Sequence, residues 1–256
     1  MTEPAIARLH PVPSEDALTD DDIAALYSAG TAGAAGSDDP WVRVNFVSSV
    51  DGAATVSGLS GGLSDAADRR VFDLLRRLCD VVVVGAGTVR AEGYGPMRVD
   101  QESQRARRES GMTEHPVFAI VSASLDLDPA SPIFREAPER AIVVTTELAR
   151  PEAREALSEV ADVVVCGREH VDAARLVGEL AGRGLTRIQC EGGPRLFADL
   201  VAARAVDELC LTVSPMLAAG GASRIATGAA PIVPERMRLA HVLQGGDTLL
   251  LRYVRS

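Results

Sequence analysis

The run most suggestive of chemistry is Cys190-Glu191-Gly192-Gly193-Pro194-Arg195-Leu196, where an acid, two glycines and a proline come one after another. It reads as a strand running into a helix. A carboxylate at the C-terminal end of a strand can accept hydrogen bonds from a ligand. Two glycines let backbone approach that ligand closely, and proline suits the first helical position. The free amides of such a helix start attract phosphate or pyrophosphate. A plain turn would also account for Gly-Gly-Pro, but it explains the preceding carboxylate less well.

Three further motifs could carry chemistry. Asp80-Val-Val-Val-Val-Gly85-Ala-Gly87-Thr88-Val-Arg90-Ala-Glu92 feeds a strand into a G-x-G, as a dinucleotide fold would. Arg90 occupies the place of the third glycine, however, and no clean strand ending in an acid follows about 20 residues on. The segment is therefore either a glycine turn or a nucleotide-contacting turn of another kind. Gly58-Leu-Ser60-Gly-Gly62 formally matches a nucleophile elbow, with His241 as the one late histidine. An elbow needs a buried strand running straight into the turn and a helix leaving it at once. The preceding Ala-Thr-Val-Ser is short and polar, so a flexible glycine-rich loop over a ligand is the better reading. Ser48-Ser49-Val50-Asp51-Gly52 puts an acid in a turn, which is commonplace.

Positioning these residues needs a strand–helix framework, and the hydropathy pattern supplies one. Residues 41–47 alternate like a strand, and 80–87 form a continuous β-branched run of the kind buried on both faces. Similar bursts recur at 117–124, 141–146, 162–167 and 186–193, separated by helical stretches at 64–78, 151–160, 171–184 and 194–206. A strand-like segment at 207–217 precedes a hairpin at 239–254 turning on Gly245-Gly246. This order predicts an α/β fold with a mostly parallel central sheet, an antiparallel C-terminal edge and helices on both faces. Residues 14–28 read as a short helix that Ser14 or Thr19 can cap, 28–40 as a Gly/Ala/Ser linker, and 98–111 as an exposed loop. The expected organisation is an acidic N-terminal arm over 1–40 and one domain over 41–256.

Composition narrows the chemistry. All 26 basic residues of the 256-residue chain are arginine. Without lysine there is no Schiff-base catalysis and no P-loop lysine for a triphosphate. The net charge is −10 and the pI about 4.9, which argues against a nucleic-acid or anionic-membrane partner. Eight of the 36 acids and one arginine lie in residues 1–40, giving that arm −7 and the body −3. Aromatic residues are too few for a base-stacking platform. No apolar run approaches the roughly 20 residues of a membrane span, and the N-terminus shows no basic and apolar secretory signal, so the expected location is the cytoplasm. Four scattered cysteines and four scattered histidines suggest buried free thiols and no metal site.

Taken together, the motifs resemble the reductase domain of riboflavin biosynthesis, whose fold is that of dihydrofolate reductase. The matching pieces occur in the family's order: 45-NFVSSVDG-52, 60-SGGLSD-65, Arg76, 80-DVVVVGAGTVRAE-92, 191-EGGPRL-196, 206-VDEL-209 and Ser214-Pro215. The resemblance spans about 42–254. The zinc signature of the deaminase that precedes this domain in many bacteria occurs nowhere, so the chain looks like a stand-alone reductase.

The resemblance implies NADPH as cofactor and a phosphoribosylamino-pyrimidine as small-molecule substrate. Reduction would pass a hydride to C1 of the open-chain imine. It implies substrate contacts at Asn45, Ser60, Arg76 and Glu191. For the cofactor it implies Val47, Gly85, Thr88, Glu92, Ser122 and the segment Gly192, Gly193, Pro194, Arg195, Leu196, with Glu92 in place of the more usual Asp. Arg76 would meet the substrate phosphate or pyrimidine edge. Asp51 and Glu191 are the catalytic candidates, Asp51 either handling a proton or serving only to cap its turn. Arg90, Arg168, Ser122 and Thr145 are candidates for reading the 2′-phosphate. Family habit implies a homodimer. Gly62, a tryptophan in some members, and Ala53, usually basic, depart from the pattern and keep a dihydrofolate or pterin reductase open. A non-catalytic nucleotide-binding protein is the alternative outside enzymes.

Overall fold

In the computed structural model, which describes residues 5–14, 16–28, 39–228 and 233–256, ten strands form one sheet. The elements run β1 (Ile6–His10), α1 (Asp20–Ser28), β2 (Trp41–Ser49), α2 (Ala66–Arg77), β3 (Val81–Gly85) and α3 (Ala86–Glu92). Then come α4 (Gln101–Glu109), β4 (Val117–Val121), α5 (Pro132–Arg135), β5 (Ala141–Thr145), α6 (Pro151–Ser158) and β6 (Ala161–Val165). The chain finishes with α7 (Ala173–Gly182), β7 (Arg187–Cys190), α8 (Pro194–Ala202), β8 (Glu208–Ser214), β9 (Met237–Gly245) and β10 (Thr248–Arg255). The strand order is β1-β9-β10-β8-β2-β7-β3-β4-β5-β6. From β8 to β6 neighbouring strands are parallel, whereas β10, β9 and β1 extend the sheet antiparallel. A mostly parallel sheet with an antiparallel edge is the architecture expected from the sequence.

The valine run of β3 shows why the centre is apolar on both sides. Val81 and Val83 pack into one cluster with Leu176, Leu180, Leu196 and Leu200 from α7 and α8. Val82 and Val84 point the other way, among Phe118, Phe134 and Leu157. Successive strand side chains face opposite sides, so a strand covered on both faces needs no polar alternation.

Two stretches differ from the sequence reading. The first is 98–111, which contains α4 rather than an exposed loop. Asp100 caps it by accepting the Ser103 amide at 2.7 Å, and Arg107 is fully buried, donating to the carbonyls of Cys79 and Thr113. Hydropathy hides this helix because its inward residue is a cation satisfied by backbone. The second is the N-terminal arm: its helix begins at Asp20 rather than near 14, and 6–10 form an edge strand paired with β9. Thr19 and Asp22 close a reciprocal cap at the helix start. The linker expected at 28–40 lies mostly outside the described residues.

The acidic arm lies against arginines. Asp20 pairs with Arg70 at 2.6 Å and Asp21 with Arg77 at 2.8 Å, joining α1 to α2. Beneath α1, Glu208 accepts from Arg43 at 2.7 Å, Arg252 at 2.9 Å and the Trp41 indole at 2.9 Å. The same two guanidiniums donate to the Tyr27 and Leu26 carbonyls, at 2.6 and 2.7 Å. They thereby supply the positive charge that the last turn of α1 lacks. Burial pushes the Glu208 carboxyl up, but the two arginines outweigh it and hold it down at about 2.

Candidate active site

A cleft of about 560 Å³ opens where β2, β3 and β7 end, walled by α2, α3 and the start of α8. Ligands of open parallel sheets bind at such carboxyl ends. Asn45, Val47, Ser60, Arg76, Thr88, Glu92, Glu191, Gly192, Gly193 and Pro194 all line it. Residues that the sequence scatters over some 150 positions thus share one wall or the other.

Arg76 and Glu191 form the most tightly held feature. Nε and a terminal nitrogen of Arg76 each donate to a different carboxylate oxygen at 2.6 Å, a two-pronged geometry that favours arginine over any other cation. The Tyr94 hydroxyl donates to Glu191 at 3.2 Å, and the guanidinium lies over the Phe72 ring at 4.3 Å. The Glu191 side chain is fully buried. Burial works against the Arg76 charge, but Glu191 more than restores it, so the guanidinium holds its proton more firmly than usual. Burial also raises the Tyr94 phenol, and Glu191 adds to that rise.

Next to this pair, backbone forms the wall. Gly192 and Gly193 have φ of +119° and +33°, in the region L side chains rarely enter, so glycine is needed at both. The Gly193 amide donates to the Thr88 hydroxyl at 3.2 Å, and the Gly85 amide donates to the Gly192 carbonyl at 3.0 Å. These bonds tie the β3–α3 turn to the α8 start, where Pro194 holds the first position and Gly193 caps without a side chain. The Arg195 and Leu196 amides lie in the first turn, beyond the helix's own hydrogen-bond ladder. Glu92 accepts the Ser60 amide at 2.8 Å, fastening the glycine-rich loop over the cleft.

Other predicted residues lie elsewhere. Gly85, Arg195, Leu196, Ser122 and Asp51 are outside the cleft lining. Ser122 is buried, and its hydroxyl oxygen accepts the Leu125 amide. The Asp51 carboxylate accepts from the Ser49 hydroxyl and from the Ala218 and Ala219 amides, bridging two loops. Those donors hold it down at about 2. Thr145 is fully buried, and Arg90 faces Asp126 at 3.6 Å. His241, the candidate elbow partner of Ser60, lies buried edge-on against Tyr27, 4.6 Å between ring centroids, beneath the arm. Among the described residues no three histidine, cysteine or acidic side chains converge as a metal would require, and no helix is long and apolar enough to cross a membrane.

Among the lining side chains that the sequence reading missed are Asp68, Arg69, Phe72 and Tyr94. Three share a stripe of α2 with Arg76, because positions 68, 69, 72 and 76 fall within about 100° of one another at 100° per residue. Helical spacing back from Arg76 was the available signal.

Comparison with known proteins gives a consistent picture. The model of the RibD C-terminal domain matches residues 40–251. The 2,5-diamino-6-ribosylamino-4(3H)-pyrimidinone 5′-phosphate reductase of Methanothermobacter thermautotrophicus is 30% identical over 186 residues, covering 72% of this chain and 82% of that protein. Its namesake from Aquifex aeolicus is 31% identical over 187 residues, covering 71% and 79%. Among solved structures, a pyrimidine reductase-like protein from Corynebacterium diphtheriae superposes with a TM-score of 0.83 at 26% identity, covering 93% of this chain and 98% of that one.

Proposed function

The chain belongs to the RibD C-terminal domain family, and from that premise we propose that it is an NADPH-dependent reductase of riboflavin biosynthesis. Its substrate is a phosphoribosylamino-pyrimidine, either the aminouracil or the 2,5-diaminopyrimidinone, and its product the ribitylamino compound. The observation that carries this reading is the gathering of the Arg76–Glu191 pair, the Gly192-Gly193 backbone and Thr88 in one cleft. The names of the curated relatives support the substrate class. Family habit adds a homodimer in the cytoplasm.

The residues present fit a dinucleotide. The Gly192-Gly193 backbone leaves room beside the first turn of α8, whose Arg195 and Leu196 amides suit a pyrophosphate. Thr88, Glu92 and Val47 would line its path, and Gly85 acts by holding Gly192. A cleft of about 560 Å³ lies within the range of small-molecule sites. When bound, reduced nicotinamide supplies the hydride.

The chain's own residues do the rest. Glu191, fixed by Arg76 and Tyr94, accepts hydrogen bonds from the sugar hydroxyls or the pyrimidine amino groups. Asn45 and Ser60 add polar contacts. Because Glu191 already neutralises Arg76, the substrate phosphate falls to Arg69, an arginine of the cleft in no ion pair among the described residues. Asp51 anchors its loops. The cation for a 2′-phosphate must be arginine, and the exposed Arg168 suits it better than the buried Ser122 and Thr145.

Following NADPH absorbance with each substrate in turn tests the reading. Turnover is expected with a phosphoribosylamino-pyrimidine and not with dihydrofolate; the reverse order would overturn it.

A further inference from the structure

Resting on the reductase reading above, we propose that Asp68 is the acid that protonates the imine nitrogen of the substrate as its C1 is reduced.

Among the described residues, three carboxylates line the cleft: Asp68, Glu92 and Glu191. Glu191 is engaged by two guanidinium nitrogens and a phenol, and Glu92 by the Ser60 amide. Asp68 is 7% exposed, and among the described residues it is in no ion pair. It is not the helix cap either. Asp65 performs that role, accepting the Asp68 amide at 2.9 Å and the Thr248 hydroxyl at 2.6 Å. A buried carboxyl at the wall of this cleft, with neither an ion-pair partner nor a capping duty, is placed to hold a proton there.

Its surroundings agree. Burial pushes the Asp68 carboxyl up, with the nearby Ser64 and Thr212 hydroxyls pulling it partly back. The charged groups acting on it are Asp65, which raises it further, and Arg69, which lowers it. From β8 the facing group is the neutral Thr212 hydroxyl. Asp51 has the opposite environment and remains a carboxylate.

The step balances. With reduced nicotinamide as the hydride source, C1 would gain two electrons and a hydrogen and the C=N π bond would break. The nitrogen takes the Asp68 proton and becomes the secondary amine, and the Asp68 carboxylate recovers its proton from solvent. Protonation makes C1 more electrophilic, and general acids of this kind typically contribute ~10²–10⁴-fold.

The test compares wild type, Asp68→Asn and Thr212→Val by pH–rate profile, by calorimetric affinity for NADPH and for the ribitylamino product, and by ¹³C titration of the Asp68 carboxyl. Wild-type turnover should fall as pH rises through the Asp68 pKa seen by NMR. Asp68→Asn should lose ~10²-fold or more while keeping both affinities within about threefold. Thr212→Val removes a hydroxyl that lowers the Asp68 pKa, so the falling limb should move to higher pH with the carboxyl still present. That arm holds even if Asp68→Asn folds poorly. If the wild type turns over but Asp68→Asn matches it, or the limb ignores Thr212→Val, the proposal fails alone. If the wild type turns over no pyrimidine substrate, it fails together with the reductase reading.

Discussion

Arg76 and Glu191, 115 residues apart in sequence, meet through two hydrogen bonds of 2.6 Å on a fully buried carboxylate. The pair joins α2 to the end of β7, so this wall of the cleft is also a tie between two elements. Breaking a buried pair by removing one charge costs about 3–5 kcal/mol, because the surviving charge is left uncompensated. Arg76→Lys keeps the charge but loses the fork. Turnover should therefore fall in both Glu191→Gln and Arg76→Lys, and thermal melting should show the larger loss of stability in Glu191→Gln.

Arg69 offers a cleaner separation of binding from chemistry. A hydrogen bond to a charged group contributes roughly 1.5–3 kcal/mol, or about 10- to 100-fold in affinity. Arg69→Gln should raise KM for the phosphorylated substrate by that factor while leaving kcat within about threefold. Dephosphorylated substrate should show little change between wild type and variant, and an equal effect on both substrates would remove Arg69 from the phosphate site.

His241 gives the fold a pH dependence of its own. Burial, with Arg252 adding to it, lowers the imidazole from 6.5 to about 4, and among the described residues its Nε2 has no hydrogen-bond partner. The unfolded chain binds this proton first, so the stabilisation is complete above about pH 6.5 and fades as pH falls towards 4. The shift corresponds to about 3 kcal/mol. His241→Leu should flatten the melting temperature between pH 7 and 4.5 relative to wild type. An unchanged slope would place the acid sensitivity elsewhere.

The arm is expected to be part of the folding unit. Ile6, Ile23 and Tyr27 are buried, at about 2 kcal/mol each, and α1 covers Arg43 and Arg252. Deleting residues 1–40 should lower the melting temperature sharply and leave a chain that self-associates in sedimentation, because β9 loses its edge partner. A truncated protein with wild-type melting would show the arm to be dispensable.

Much of this protein was legible in the order of its residues. The valine run 81–84, the hairpin around Gly245-Gly246 and Glu191-Gly-Gly-Pro each announce themselves because strand periodicity, turn chemistry and helix starts are local properties. The motifs that carry the family resemblance are equally local. Helix α4 and strand β1 were not legible, since Arg107 is buried by carbonyls that only folding supplies and β1 becomes a strand by pairing with β9. The neutralisation of Arg76, the anchoring of Asp51 and the isolation of Asp68 were likewise decided in three dimensions. A side chain's type sets which charges and hydrogen bonds are available to it. Whether that charge is spent on a neighbour or left for a ligand depends on distances between residues far apart in the chain, and only the tertiary structure sets those.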